Sequence, residues 1–259
     1  MIKIGIYTDY LHNNDILRER VAGAVSETCL ITILNAANII NGALADQDIL
    51  IMPGGADLFF TEKLNGAGNR AIDDFVVKGG RYLGICAGAY FGARAIRWAE
   101  DNEKEVIVGT RELAFVKATA IGPAYPLMQG GINDCWDGLC RLNTGGDIFH
   151  AIYRGGCYFE GTADADILAV YEDLPNRPPA IIGQQRGAGY ALLSGPHIEM
   201  RAQDYEGTLY RHLNPFYEYQ STVAAGMDGN DEKVDTYWRG VLDWLIKYDN
   251  TREKLAFSL

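Results

Sequence analysis

The chain is short of positive charge: 23 Lys and Arg stand against 34 Asp and Glu, a net charge of −11. So acidic a surface repels phosphate backbones and anionic headgroups, which argues against nucleic acid and membrane partners. No apolar run approaches the roughly 18 residues that span a bilayer. No charged leader with a long apolar core is visible either, since MIKIGIYTDY enters a strand-like pattern directly, and a cytoplasmic setting is expected. The five cysteines (Cys29, Cys86, Cys135, Cys140, Cys157) are odd in number and irregularly spaced, which fits free thiols in a reducing compartment. Cys135 and Cys140 lie too far apart for a Cys-x-x-Cys pair and have no companion His, so they read as buried thiols. His12, His150 and His212 lack acidic or thiol partners at ligand spacing, so no metal is expected. There is no Gly-x-x-x-x-Gly-Lys-Ser/Thr, which excludes a P-loop. Gly66-Ala67-Gly68-Asn69-Arg70-Ala71 follows a helix-like stretch rather than a strand and reads as a turn, so no cofactor is expected.

What is present is apolar residue in quantity, 48% of 259, enough for the core of a sizeable α/β domain. The first hundred residues alternate in type. Short β-branched runs at 2–7 (IKIGIY), 28–34 (TCLITIL), 49–52 (ILIM) and 82–86 (YLGIC) are separated by segments of helical period at 16–25, 37–44, 71–78 and 89–98. A further helix-like stretch begins near Asp57. Continuous apolar strands linked by helices predict a mostly parallel, doubly wound sheet covered on both faces. Past residue 100, alternation and paired glycines predict hairpins or mixed strands over 106–121 and 148–171, with turn signals at Gly130-Gly131, at 143–146 and at Gly155-Gly156. Residues 180–183 and 189–193 read as a final pair of strands, and 201–213 as a helix. Val234, Trp238, Val241, Leu242, Leu245 and Ile246 form one apolar stripe, which predicts a docking helix. One domain over 1–259 is expected, with a core at 1–215 and a loop plus docking helix at 216–259.

The residues richest in chemistry are Gly84-Ile85-Cys86-Ala87-Gly88, where an apolar strand meets a helix. Gly-x-nucleophile-x-Gly at that junction is the nucleophile elbow: a strained turn exposes the central side chain, and flanking glycines avoid collision with neighbouring elements. The N–H of Ala87 then becomes a donor for a developing oxyanion. Taken alone, the pentapeptide also matches a buried Cys between coincidental glycines.

Two other segments bear on that choice. Pro53-Gly54-Gly55 ends a strand, and in a parallel sheet it reaches the same carboxyl edge as the elbow, where ligands bind. Its Gly54 and Gly55 amides can face a substrate oxygen, though an ordinary strand-to-helix turn reads the same way. His197-Ile198-Glu199 ends the last strand-like run. In extended backbone its two polar side chains share a side, so the imidazole can serve the thiol as base while the carboxylate orients it.

The strings LIMPGGADL (50–58), YLGICAGAYFGA (82–93), YRGGCYFE (153–160) and LLSGPHIE (192–199) occur in this order and spacing. They resemble the class I glutamine amidotransferase-like superfamily. They look most like the amidotransferase-like domain at the N-terminus of fungal-type biotin–protein ligases, which also occurs alone in bacteria. The resemblance covers roughly residues 1–215. It implies a flavodoxin-like sheet with a Cys86–His197–Glu199 triad at its edge, and an oxyanion hole from Gly54, Gly55 and Ala87. It also places Tyr153-Arg154-Gly155-Gly156 near the pocket, where Tyr153 or Arg154 could orient a substrate carboxylate or amide; a tight hairpin turn reads equally well.

The chain departs from the family pattern at Tyr90. Glutaminases of this superfamily usually carry Gln four positions after the nucleophile, and a phenol lacks an amide's paired donor and acceptor. Free glutamine is therefore not the expected substrate. Neither a biotinyl-AMP loop nor the Lys-Trp-Pro-Asn stretch of a ligase catalytic domain occurs. The expectation is a thiol-dependent amide hydrolase or amidotransferase-like enzyme acting on a small carboxamide, with a separate synthase or ligase as partner. A non-catalytic domain that binds a small ligand and regulates a ligase is the other reading, and a peptidase- or isomerase-like relative a third.

Overall fold

The computed structural model describes residues 1–9, 14–128 and 135–249. In chain order its strands are β1 (Ile2–Tyr7), β2 (Cys29–Leu34), β3 (Ile49–Met52), β4 (Arg81–Ile85), β5 (Ala93–Trp98), β6 (Ile107–Thr110) and β7 (Val116–Gly122). They continue with β8 (Asp137–Asn143), β9 (Ile148–Arg154), β10 (Tyr158–Glu160), β11 (Asp166–Tyr171), β12 (Pro179–Arg186) and β13 (Gly189–Ser194). The helices are α1 (Asp15–Ala24), α2 (Ala36–Ile40), α3 (Asp57–Leu64), α4 (Ala67–Val77) and α5 (Ala87–Gly92), then α6 (Ala202–Glu206), α7 (Tyr217–Ala225) and α8 (Asp231–Lys247).

A nine-stranded mixed sheet runs β2-β1-β3-β4-β13-β12-β11-β8-β9, and a second sheet runs β10-β7-β5-β6. The first five strands of the large sheet are mutually parallel, and the remaining pairings are antiparallel. The two-residue period of a strand explains how one sheet serves two cores. Along β3, Ile49 and Ile51 join the core that includes α1 and α8, while Leu50 and Met52 join the one that includes α2 to α5. All four are fully buried, which is why the run reads as continuously apolar.

Three segments differ from the sequence expectation. Residues 89–98 do not form one helix: α5 ends at Gly92 and β5 follows, pairing with β6 and β7. Arg94 and Arg97 are spaced as on a helix, but a register irregularity between Ala93 and Ala95 leaves both accessible from a strand. Over 201–213 only Ala202–Glu206 is helical, and turns follow Gly207. The stretch 216–230 contains α7, which packs on α6 and β8. Gly66 stands at the N-terminus of α4 with φ 82°. The turn signal at Gly130-Gly131 and His12 lie outside the described residues. Cys135 and Cys140 are buried free thiols. Among the described residues, no helix is long and apolar enough to cross a membrane.

α8 docks through the predicted stripe: Val234, Trp238, Val241, Leu242 and Leu245 are fully buried. Trp238 also donates its indole N–H to the Arg20 carbonyl at 3.0 Å. Trp238→Ala should therefore cost about 3–5 kcal/mol, read as a lower urea midpoint at unchanged m value. A loss under about 1 kcal/mol would mean that the helix is not part of the cooperative core.

Candidate active site

β4 delivers the chain into α5 through a single residue. Cys86 has φ 51° and ψ −105°, a conformation that side-chain-bearing residues avoid. Its surroundings allow no bulk. A Cβ on Gly84 would lie 2.3 Å from the Gly88 carbonyl oxygen, and one on Gly88 would lie 2.1 Å from that of Met52. The turn is tied down on both sides: Cys86 N–H donates to Ser194 O (2.8 Å) and Gly88 N–H to Pro53 O (3.1 Å). The Tyr82 hydroxyl donates to Gly88 O at 2.7 Å.

Because β3, β4 and β13 are adjacent and parallel, their carboxyl ends bring the 53–55 loop, the elbow and the 195–199 segment to one edge. Gly54 packs directly against both other parts. A Cβ there would sit 2.7 Å from His197 Cε1 and 3.6 Å from Cys86 Cβ. Gly55 is exposed, with φ 141°. Ala87 is the first residue of α5, so its N–H has no acceptor within the helix.

The His197 backbone bridges to Ile152, donating its N–H at 2.9 Å. Its Nδ1 lies 2.7 Å from Glu199 Oε1, and the two side chains are 7% and 5% exposed. Burial disfavours the charged ring, but the Glu199 carboxylate and the Cys86 sulfur outweigh it and lift the imidazole from 6.5 to about 10. Glu199 is itself anchored. Arg20 Nε donates to its carbonyl at 2.5 Å, and the buried Arg20 guanidinium pairs with Asp204 (3.2 Å) and Asp235 (2.6 Å).

Cys86, His197, Glu199, Gly54, Gly55 and Arg154 line one cleft of about 460 Å³, a size suited to a small molecule. Ala87, Tyr90 and Tyr153 do not line it. Tyr90 is buried, with its hydroxyl donating to Gly155 O at 3.2 Å. The Tyr153 hydroxyl accepts from Ala124 N–H (2.6 Å) and donates to Gly156 O (2.7 Å). Both phenols support the Gly155-Gly156 turn from beneath, and burial raises the pKa of each well above the ordinary value.

Arg154 reaches the cleft from the end of β9. Its Nε donates to Asp137 Oδ1 at 3.2 Å and its Nη1 to Thr208 Oγ1 at 3.1 Å, while its backbone carbonyl faces the Cys86 sulfur at 3.5 Å. Sequence reasoning did not find Trp136, Asp137, Thr208 and Tyr210, which also line the cleft, or Arg20 behind Glu199. The one available signal was Trp136-Asp137 inside CWDGLC, an aromatic and an acid at the start of a strand. Among the described residues, no group of His, Cys, Asp and Glu is arranged to hold a metal.

Comparison with known proteins places these features in a family. A protein of Chlamydia muridarum, described only as uncharacterized, is 40% identical over 156 residues, covering 58% of this chain and 60% of that protein. The biotin–protein ligase of Schizosaccharomyces pombe is 33% identical over 170 residues, 61% of this chain and 26% of the ligase. The chain thus spans a little over half of the first relative and about a quarter of the second. The PurLQS structure from Thermotoga maritima shares the fold alone, with a TM-score of 0.55 at 12% identity over 94% of this chain and 99% of that one. The model of the biotin-protein ligase N-terminal family matches residues 28–249, and the chain belongs to that family.

Proposed function

We propose that this protein is a thiol-dependent amide hydrolase, of the class I glutamine amidotransferase-like kind, acting on a small carboxamide. The observation that carries the reading is the meeting, in one cleft, of a strained cysteine and a buried histidine that both pack against Gly54, with a carboxylate 2.7 Å behind the ring. The parallel strand order β2-β1-β3-β4-β13 supports it, being the flavodoxin-like order, in which ligands bind at the carboxyl edge.

In this reaction the Cys86 sulfur attacks the amide carbon while His197, charged at neutral pH, holds the proton that the leaving nitrogen will take. Glu199 fixes the ring and stabilises its charged form. The reading assigns the N–H groups of Gly54 and Gly55, which line the cleft, and that of Ala87, which has no acceptor within α5, as donors to the oxygen of the tetrahedral intermediate. Collapse breaks the C–N bond, His197 returns its proton to the leaving nitrogen, and ammonia departs. Water, deprotonated by the same ring, then cleaves the thioester to release a carboxylic acid and restore the thiol. Any acceptor for the ammonia lies on a separate synthase or ligase, and a biotin–protein ligase is the partner that family membership favours. A cytoplasmic, reducing setting, which keeps Cys86 as a thiol, belongs to the same proposal.

One observation favours a second reading, a non-catalytic pocket that regulates a ligase. Tyr90, at the position where glutaminases carry their substrate-holding Gln, spends its hydroxyl on Gly155 O. Retention of the full Cys–His–Glu set weighs more. A ligand that raises the Tm without being turned over would reverse the preference.

Cys86→Ala should lower ammonia release by at least about 10³-fold in a coupled ammonia assay, while residual activity near wild type would sink the reading. Cys86→Gly, equally inactive, should be about 1 kcal/mol more stable than Cys86→Ala, because only glycine adopts φ 51° without strain. A less stable glycine variant in urea melts would show that the turn is unstrained. The pH dependence follows from His197. A ring whose folded pKa exceeds its unfolded one stabilises the fold below the unfolded value and loses that effect as pH rises through the folded one. The Tm advantage of wild type over His197→Gln should be greatest below pH 6.5 and fade as pH climbs towards 10. A pH-independent difference would exclude the pairing.

A further inference from the structure

The charged side chains that line the cleft are Asp137, Arg154, His197 and Glu199, and each is already matched to an opposite partner. Arg154 Nε holds Asp137 Oδ1 at 3.2 Å, and His197 Nδ1 holds Glu199 Oε1 at 2.7 Å. Asp137 has little left to offer, because its other oxygen accepts from the Tyr205 hydroxyl (2.8 Å) and the Gln220 amide (2.5 Å). The second oxygen of Glu199 is sealed from solvent. Among the described residues, a ligand carboxylate entering here therefore meets no uncompensated cation, and a ligand ammonium meets no accessible uncompensated anion. Burying either without a counter-charge is costly. Arg154 can still offer Nη2 as a donor to a neutral carbonyl oxygen.

The uncharged lining includes the polar side chains of Asn14 and Thr208, and apolar surface from Ile16, Leu17 and Met200. Trp136, 42% exposed, also lines the cleft, with its ring braced edge-on by Trp98 at 5.3 Å between centroids. An indole held in this way is a packing surface for a flat group.

We infer that the cleft takes an uncharged carboxamide bearing a flat or apolar group that packs on Trp136, and discriminates against zwitterionic glutamine. The inference rests on the amide-hydrolase reading and names its substrate class. It also accounts for turnover. Hydrolysis exchanges a neutral amide for ammonia and a carboxylate, and among the described residues of the site no spare cation retains that anion.

The test compares phenylacetamide with free L-glutamine on the intact protein. Ammonia release should favour phenylacetamide by at least about tenfold in kcat/KM, the discrimination expected where one substrate must bury unpaired charge. Trp136→Ala should raise the KM for phenylacetamide about tenfold with kcat little changed, and Trp136→Phe should recover most of the loss, the pattern of lost ground-state binding. L-glutamine proving the better substrate, or a KM indifferent to Trp136→Ala, would overturn the substrate class while leaving the hydrolase reading intact. If neither amide is turned over, the hydrolase reading fails separately, and calorimetry decides the ligand class. Phenylacetamide should then bind the Cys86→Ala variant more tightly than L-glutamine or phenylacetate does; equal or weaker binding would overturn the inference.

Discussion

The organisation of the site depends on how closely the backbone of the elbow approaches its neighbours. The Gly88 Cα lies where a methyl group would reach within 2.1 Å of the Met52 carbonyl, and Gly84 stands in the same relation to Gly88. With no Cβ at either position, α5 can begin directly over the end of β3, which sets Cys86 beside the 53–55 loop. The strain at Cys86 is held by hydrogen bonds to Ser194 and Pro53, so the strand on each side of β4 contributes to it. Strain of this kind persists only where its surroundings over-determine it.

Burial then decides what the polar residues can do. A lone carboxylate as enclosed as Glu199 would be unstable, and a lone imidazole as enclosed as His197 would stay neutral. With the two placed 2.7 Å apart, the carboxylate favours the charged form of the ring. The same economy operates elsewhere in the cleft, where Asp137 and Arg154 neutralise one another. The cleft is rich in charged groups, yet the partner of each is already in place.

Much of this was legible in the sequence where the determinants are local. The run ILIM is apolar without alternation because both faces of β3 are covered, and the motifs at 53–55, 84–88 and 197–199 end strands whose parallel pairing brings them to one edge. Where long-range packing decides the outcome, the sequence misleads. Residues 93–98 space their arginines as a helix does, but pairing with β6 and β7 makes them a strand. Tyr90 and Tyr153 were legible as polar groups near the motifs, yet only the fold shows their hydroxyls spent on backbone carbonyls. Thr208 and Tyr210 belong to a segment with no recognisable motif, and they enter the cleft wall through contacts between residues far apart in the chain.

Arg20 shows how far such coupling extends. Its side chain lies in α1, far in sequence from Cys86, His197 and Glu199, yet it donates to the Glu199 carbonyl and pairs with Asp204 at α6 and Asp235 in α8. Its own carbonyl receives the Trp238 indole. A guanidinium this enclosed needs counter-charge in a low dielectric, and the two carboxylates supply it. The docking of α8 and the placement of Glu199, 2.7 Å from His197, therefore share one residue. This helix, which does not line the cleft, is part of what keeps His197 in position.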